Sequence, residues 1–138
     1  MLLFSAARSQ LIAERVQPDL KAGTVVILDR YYDSTTAYQG FGRGVLTVDE
    51  IQRINAIASH HMAPDLTFYL HISLEDALSR TKTKRKDRME SSGEDFYKRV
   101  IEGFEYLAKN EARFKKMDAM QPAETIHQGI WEVVSPRL

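Results

Sequence analysis

No cysteine occurs among the 138 residues. Neither a disulfide nor a thiolate zinc site is available, as suits a protein of a reducing compartment. The chain also lacks net charge: 19 Lys and Arg balance 19 Asp and Glu, so the whole names no polyanionic partner. No apolar run approaches the ~20 residues that cross a bilayer. The opening Met1-Leu2-Leu3-Phe4 turns polar at Ser5, which is no signal peptide. No glycine is followed by lysine, so the G-x-x-x-x-G-K-S/T loop that cradles nucleotide phosphates is missing. H-E-x-x-H and G-x-S-x-G are missing too. His60, His61, His71 and His127 have no metal-ligand spacing and read as structural. What is present, 43% apolar and 28% charged residues, supports a core and argues against disorder. One soluble, cytoplasmic domain is the expectation.

The pattern along the chain alternates helix and strand. Helical periodicity runs from Leu2 to about Gln17, with Phe4, Leu11, Ile12 and Val16 on or near one stripe. Pro18 opens a further turn and Gly23 closes it. The β-branched run Thr24–Leu28 reads as a buried strand. Thr47 and Glu50 form a capping box for a helix to about Met62, with Ile51, Ile54, Ile57 and Ala58 inward. Leu66–Ile72 is a second strand, and Ser73–Asp76 caps the next helix. That helix dissolves into a basic run, Arg80–Arg88. An amphipathic helix from Glu94 to about Asn110 carries Phe96, Val100, Phe104 and Leu107. A short strand, Phe114–Met117, and a helix, Ala123–Val134, complete the order. Such alternation is the mark of a parallel α/β sheet.

Chemistry concentrates after the first strand. Asp29-Arg30 stands at its carboxyl end, where open α/β sheets hold ligands. A guanidinium there offers forked donors to a phosphate, and the neighbouring carboxylate can orient it or a metal-bound water. Phe4 and Arg8, four apart, share a helix face. They could clamp a flat heterocycle, although spacing alone favours a core phenylalanine beside a solvated arginine. If residues 34–39 coil into a helical turn, Thr35 and Tyr38 project together toward Arg30. Otherwise their hydroxyls satisfy their own backbone. Gly40, Gly42 and Gly44 read as a flexible turn rather than a phosphate cradle, with Arg43 solvated. Arg80–Arg88 holds six basic residues against one acid. The alternatives there are a solvated face, a nucleic-acid contact, or a flap closing over nucleotide phosphates. Its place between two helices, without interleaved aromatics, favours the flap.

These segments, in order, resemble bacterial thymidylate kinase, a P-loop nucleoside monophosphate kinase. Leu2–Arg8 is similar to the family's substrate helix. Asp29-Arg30-Tyr31 is similar to its DR-aromatic motif, and Ser34–Gly44 to its S-x-x-AYQG-x-GRG segment. Pro64–Leu70 resembles its PDLT strand, Asp87–Glu90 its D-R-x-E, and Asp118–Pro122 its DA-x-QP turn. The resemblance implies a P-loop NTPase-type three-layer α/β/α parallel sheet, with residues 1–138 one partial kinase domain and a lid over residues 80–93. Phe4 would stack on thymine and Arg8 bind its exocyclic oxygen. Arg30 would hold the dTMP phosphate, and Asp29 would orient it or the magnesium shell. Ser34, Thr35, Tyr38 and Gln39 would line the pocket, Tyr38 beneath the sugar. Arg85 would be the catalytic lid cation, worth ~10³-fold or more in rate, with Lys82 and Lys84 as alternates. Arg80, Lys82, Lys84 and Arg88 would face ATP. The chain departs from the pattern at His71, where the family has aspartate, and in a slightly shorter lid.

The resemblance also implies a first strand and phosphate loop that precede this region in the family, with that strand lying between Thr24–Leu28 and Leu66–Ile72. Three expectations follow: an incomplete sequence, an internal start or a fragment; an unpaired sheet centre; and no ATP turnover by this chain alone. ATP and Mg²⁺ are the expected cofactors and dTMP the substrate. A homodimer is expected for the full-length family, with no nucleic acid or membrane partner. The alternative is a non-catalytic fragment that binds a nucleoside monophosphate, or an interaction module.

Overall fold

The computed structural model describes residues 1–81 and 93–138. It opens with an unbroken helical rod: α1 (Leu2–Leu11), a π-type stretch Ile12–Val16, and α2 (Gln17–Lys21). Pro18 sits in the first turn of α2, where a proline's missing N–H is tolerated. Gly23 ends the rod at φ +79°. Its N–H donates to the Leu20 carbonyl and that of Thr24 to Asp19, both at 3.0 Å, so the last helical carbonyls are satisfied. The buried stripe is Ser5, Ile12 and Val16. Phe4 and Leu11, expected on that stripe, face outward. Each precedes a buried residue by one position, about 100° of helix turn, which carries it off the packed line.

Thr24–Leu28 is not a strand. The sheet has two strands, β1 (Thr67–His71) and β2 (Phe114–Asp118), and among the described residues none pairs with residues 24–28. A β-branched run becomes a strand only where a neighbour takes its backbone hydrogen bonds. Without one, Ile27 is 90% exposed. β1 and β2 run parallel, in register from Thr67 opposite Phe114 to His71 opposite Asp118. Parallel pairing needs a crossover, to which α5 (Leu74–Thr81) and α6 (Glu94–Asn110) belong.

Residues 32–42 are helical: the helical turn weighed for residues 34–39 forms, and of the three glycines read as a flexible turn only Gly44, at φ +59°, lies outside the helical segment. The segment comprises α3 (Tyr32–Thr35) and a π-type continuation, Thr36–Gly42, and the continuation packs on α6. Glycine is required for closeness. A Cβ at Gly42 would lie 2.7 Å from Phe96 and 2.8 Å from Val100, and one at Gly103 would lie 2.9 Å from the Ala37 Cα. Around this contact Ala37, Phe96 and Val100 are buried, with Tyr38, Tyr97 and Phe104 packed against them.

The capping box forms as expected. The Thr47 N–H donates to Glu50 Oε2 at 2.8 Å and the Glu50 N–H to Thr47 Oγ1 at 3.3 Å, opening α4 (Val48–Ala58). The helix stops at Ala58, short of Met62. There His60 and His61 turn left-handed, at φ 51° and 59°. Ile51, Asn55 and Ala58 are buried, whereas Ile57, expected inward, is 72% exposed. The last helix is α7 (Ala123–Val134).

Candidate functional site

Two arginines that precede α3 in the sequence are held against α3 and its continuation. Arg8, half-buried on α1, donates from Nη2 to Thr35 Oγ1 at 2.8 Å and from Nη1 to Asn55 Oδ1 at 3.4 Å. Its guanidinium lies 5.6 Å from the Tyr31 ring centre. Burial pulls its pKa below the ordinary arginine value, against the opposing pull of Tyr31 and Asp33; the group stays cationic. Arg8 is therefore neither a solvated arginine nor a core ornament. It is a fixed donor with N–H groups to spare.

Arg30 sits in the link between α2 and α3 at φ +67°, a left-handed conformation that side chains disfavour. Its guanidinium lies 5.3 Å from the Tyr38 ring centre, within cation–π range. Tyr38 is steadied edge-on by Phe96 at 6.0 Å and Phe104 at 6.3 Å, so the core aligns the ring that carries the arginine. Asp29, beside it, is exposed.

The other candidates are less engaged. Phe4 lies one turn from Arg8 on α1 but is 69% exposed and has no aromatic partner among the described residues. Ser34 and Gln39 are half-buried on the same helical segment as Thr35 and Tyr38. Arg80, in the last turn of α5, donates to the Ala119 carbonyl at 3.3 Å. This brings the start of the basic run to the turn after β2. Asp118 caps that turn, accepting from Met120 N at 2.8 Å and Gln121 Nε2 at 3.0 Å. These bonds hold its carboxyl below the ordinary range. Lys82, Lys84, Arg85 and Arg88 lie outside the described residues. Among the described residues no group of three His, Cys, Asp or Glu could hold a metal, and no helix is long and apolar enough to cross a membrane.

The sequence reading missed three supports. Asn55 faces inward on α4, four residues after Ile51, and touches Arg8, Thr36 and Tyr32. Arg113 clasps Asp33 with both terminal nitrogens, at 2.9 and 2.6 Å, and also donates to Thr67 Oγ1. Arg99 donates to the Gly42 carbonyl at 3.0 Å, satisfying the end of the π-type stretch. The available signal was a polar residue on an otherwise apolar stripe, at Asn55. For Arg113 and Asp33, far apart in sequence, none existed. His71 now has an account: its Nδ1 lies 3.0 Å from Glu105 on α6 and 3.1 Å from the Tyr69 hydroxyl.

A family model described as Thymidylate kinase matches residues 1–130. The thymidylate kinase of Chlorobaculum tepidum is 45% identical, across 94% of this chain and 65% of the relative. That of Chlorobium chlorochromatii is 40% identical, across 100% of this chain and 68% of the relative. That of Trichodesmium erythraeum is 41% identical, across 100% of this chain and 61% of the relative. The chain thus spans about two thirds of the length of the curated relatives it matches. On that match, carried by an α/β build with parallel strands, the chain belongs to the thymidylate kinase family.

Proposed function

We propose that this chain supplies the monophosphate side of a dTMP kinase. In that reaction a dTMP phosphate oxygen attacks the γ-phosphorus of ATP in line, the bond to the β-phosphate oxygen breaks, and ADP leaves. The observation that carries the reading is the convergence of Arg8 and Arg30 on one helical segment, through Thr35 and Tyr38. A donor fixed on a hydroxyl suits a pyrimidine's exocyclic oxygen, and a guanidinium laid on an aromatic face suits a phosphate. Phe4, Ser34 and Gln39 complete the pocket in this reading. Mg²⁺ would be held chiefly by the substrate phosphates, with the exposed Asp29 orienting Arg30 or the ion's water shell. The ion supplies charge neutralisation as the phosphoryl group moves. Arg80, Lys82, Lys84 and Arg88 would serve ATP, with Arg85 as the lid cation and Lys82 and Lys84 as its alternates. In this reading the full-length family member is a homodimer, in the cytoplasm.

The second reading, a nucleotide-binding module without turnover, is favoured by one observation: no phosphate-cradling glycine-lysine motif occurs in these residues. Both readings require dTMP binding, so calorimetry tests what they share and turnover separates them. Calorimetry on the chain itself is expected to show heat with dTMP. The chain joined behind the phosphate-loop segment of the Chlorobaculum tepidum relative is expected to release ADP only with dTMP present. Phosphorylation of another nucleotide with dTMP ignored would end the kinase assignment.

A further inference from the structure

Asn55 is the least expected residue in this region. It sits in the middle of the inner face of α4 and is 3% exposed, yet it carries a fully polar amide into the core. Every part of that amide is used. Nδ2 donates to the Tyr32 carbonyl at 3.2 Å and to Thr36 Oγ1 at 3.0 Å. Oδ1 accepts from Arg8 Nη1 at 3.4 Å. The Tyr32 carbonyl can only accept, which forces the NH₂ toward α3 and leaves the oxygen facing Arg8. The amide therefore cannot flip, and its direction is set by the backbone of the helix that carries Ser34, Thr35, Tyr38 and Gln39.

From this we infer that Asn55 is the positioning residue of the base-recognition end. It ties Arg8 on α1 to α3 and the stretch after it, so that the guanidinium meets a ligand at one fixed height. Arg8 has two anchors, Asn55 through Nη1 and Thr35 through Nη2. Both acceptors are buried, Thr35 at 4% and Asn55 at 3% exposure, and they hold the two ends of the guanidinium fork from two different helices. Removing Asn55 frees Nη1 while Nη2 stays on Thr35 beside the Tyr31 ring, and a guanidinium pinned at one end only loses part of the pre-paid orientation on which selective binding depends. The inference rests on the dTMP-pocket reading only for the identity of the ligand. The restraint on Arg8 is a property of the free chain.

Two measurements on the full chain separate these layers. In ¹⁵N NMR, Arg8 Nη protons are expected to be slowly exchanging in the native chain and lost in Asn55→Leu. Native-like Arg8 signals in Asn55→Leu overturn the inference, whatever nucleotide the protein takes. Should Asn55→Leu fail to fold, the native chain decides: Arg8 Nη protons that exchange there as fast as those of a solvent-exposed arginine overturn it. In dTMP titrations, Asn55→Leu and Arg8→Met are each expected to weaken binding about tenfold, with no further loss when combined. Full additivity would mean that Asn55 acts through the fold rather than through Arg8. If the native chain ignores dTMP, the functional reading fails while the NMR result still decides the role of Asn55.

Discussion

Arg113 and Asp33 stand 80 positions apart and share two hydrogen bonds, at 2.9 and 2.6 Å, with side chains only 10% and 7% exposed. The same guanidinium donates to Thr67 and lies 5.4 Å from the Tyr32 ring centre and 4.9 Å from that of Phe114. One cation therefore joins the start of both strands to the helix that carries the candidate pocket. A buried pair is not stabilising merely by being ionic, because desolvation offsets much of the attraction. Its strength is asymmetric: losing one partner strands the other charge. Asp33→Ala is expected to cost about 3–5 kcal/mol in urea unfolding, and Asp33→Ala with Arg113→Met to cost clearly less. Equal losses in the single and double variants would refute the pairing.

Gly42 and Gly103 make a second, steric test. Both face side chains or backbone that a methyl group would strike. Gly103→Ala meets the Ala37 Cα, which cannot rotate away, while Gly42→Ala meets the side chains of Phe96 and Val100, which can shift slightly. Overpacking costs about 1–3 kcal/mol, and Gly103→Ala is expected at the upper end of that range. Gly23→Ala has open space but φ +79°, so its cost, about 1 kcal/mol, is conformational. Unfolding midpoints that ranked Gly23→Ala as the worst of the three would contradict the close-packing account.

The helices were legible because their signals are local. The Thr47–Glu50 box, the Gly23 stop and the apolar spacing of Glu94–Asn110 all lie within a few residues of what they control. Thr24–Leu28 misled because strand formation needs a partner elsewhere, and sequence alternation does not supply one. The glycines at 40 and 42 misled for a related reason. Glycine marks both a turn and a close helix contact, and neighbours further along the chain decide between them: Ile51 for Gly40, and Phe96 and Val100, more than fifty residues on, for Gly42. The site divides the same way. Arg8, Arg30, Thr35 and Tyr38 are indicated by residue type and family resemblance, whereas Asn55, Asp33 and Arg113 act through contacts that no spacing rule encodes.

Tyr69 yields a pH prediction. Its ring stacks on Phe104 at 5.2 Å and its hydroxyl lies 3.1 Å from His71 Nδ1. Burial, with the nearby Glu105 carboxylate adding to it, raises its pKa from 10.0 to about 12. A raised folded-state value stabilises the fold fully below the unfolded pKa and is lost as pH climbs to the folded one. The chain is thus expected to lose stability between pH 10 and about 12, as the unfolded phenol ionises first. Tyr69→Phe should flatten that alkaline decline without abolishing it, since Tyr31 and Tyr32 are also raised. Urea titrations across that range that superimpose for both proteins would remove Tyr69 from the explanation.

Arg30 sets local strain against function. At φ +67° its backbone occupies a region costing a side-chain-bearing residue roughly 1–2 kcal/mol, and strain of this kind persists where a site needs the geometry. Replacing it with glycine relieves the strain but frees the unfolded chain, so Arg30→Gly is expected to change stability by no more than about 1 kcal/mol. Ligand binding should respond very differently. If the guanidinium over Tyr38 grips the phosphate, Arg30→Gly will lose dTMP while any weak binding of thymidine, which has no phosphate, stays unchanged. Arg30→Lys keeps the charge but not the planar fork or the stacking on Tyr38, and should fall between them. Calorimetry with both compounds reads the outcome directly. Equal weakening of dTMP and thymidine would mean that Arg30 shapes the pocket rather than binding the phosphate, and retention of dTMP by a folded Arg30→Gly chain would remove it from the site.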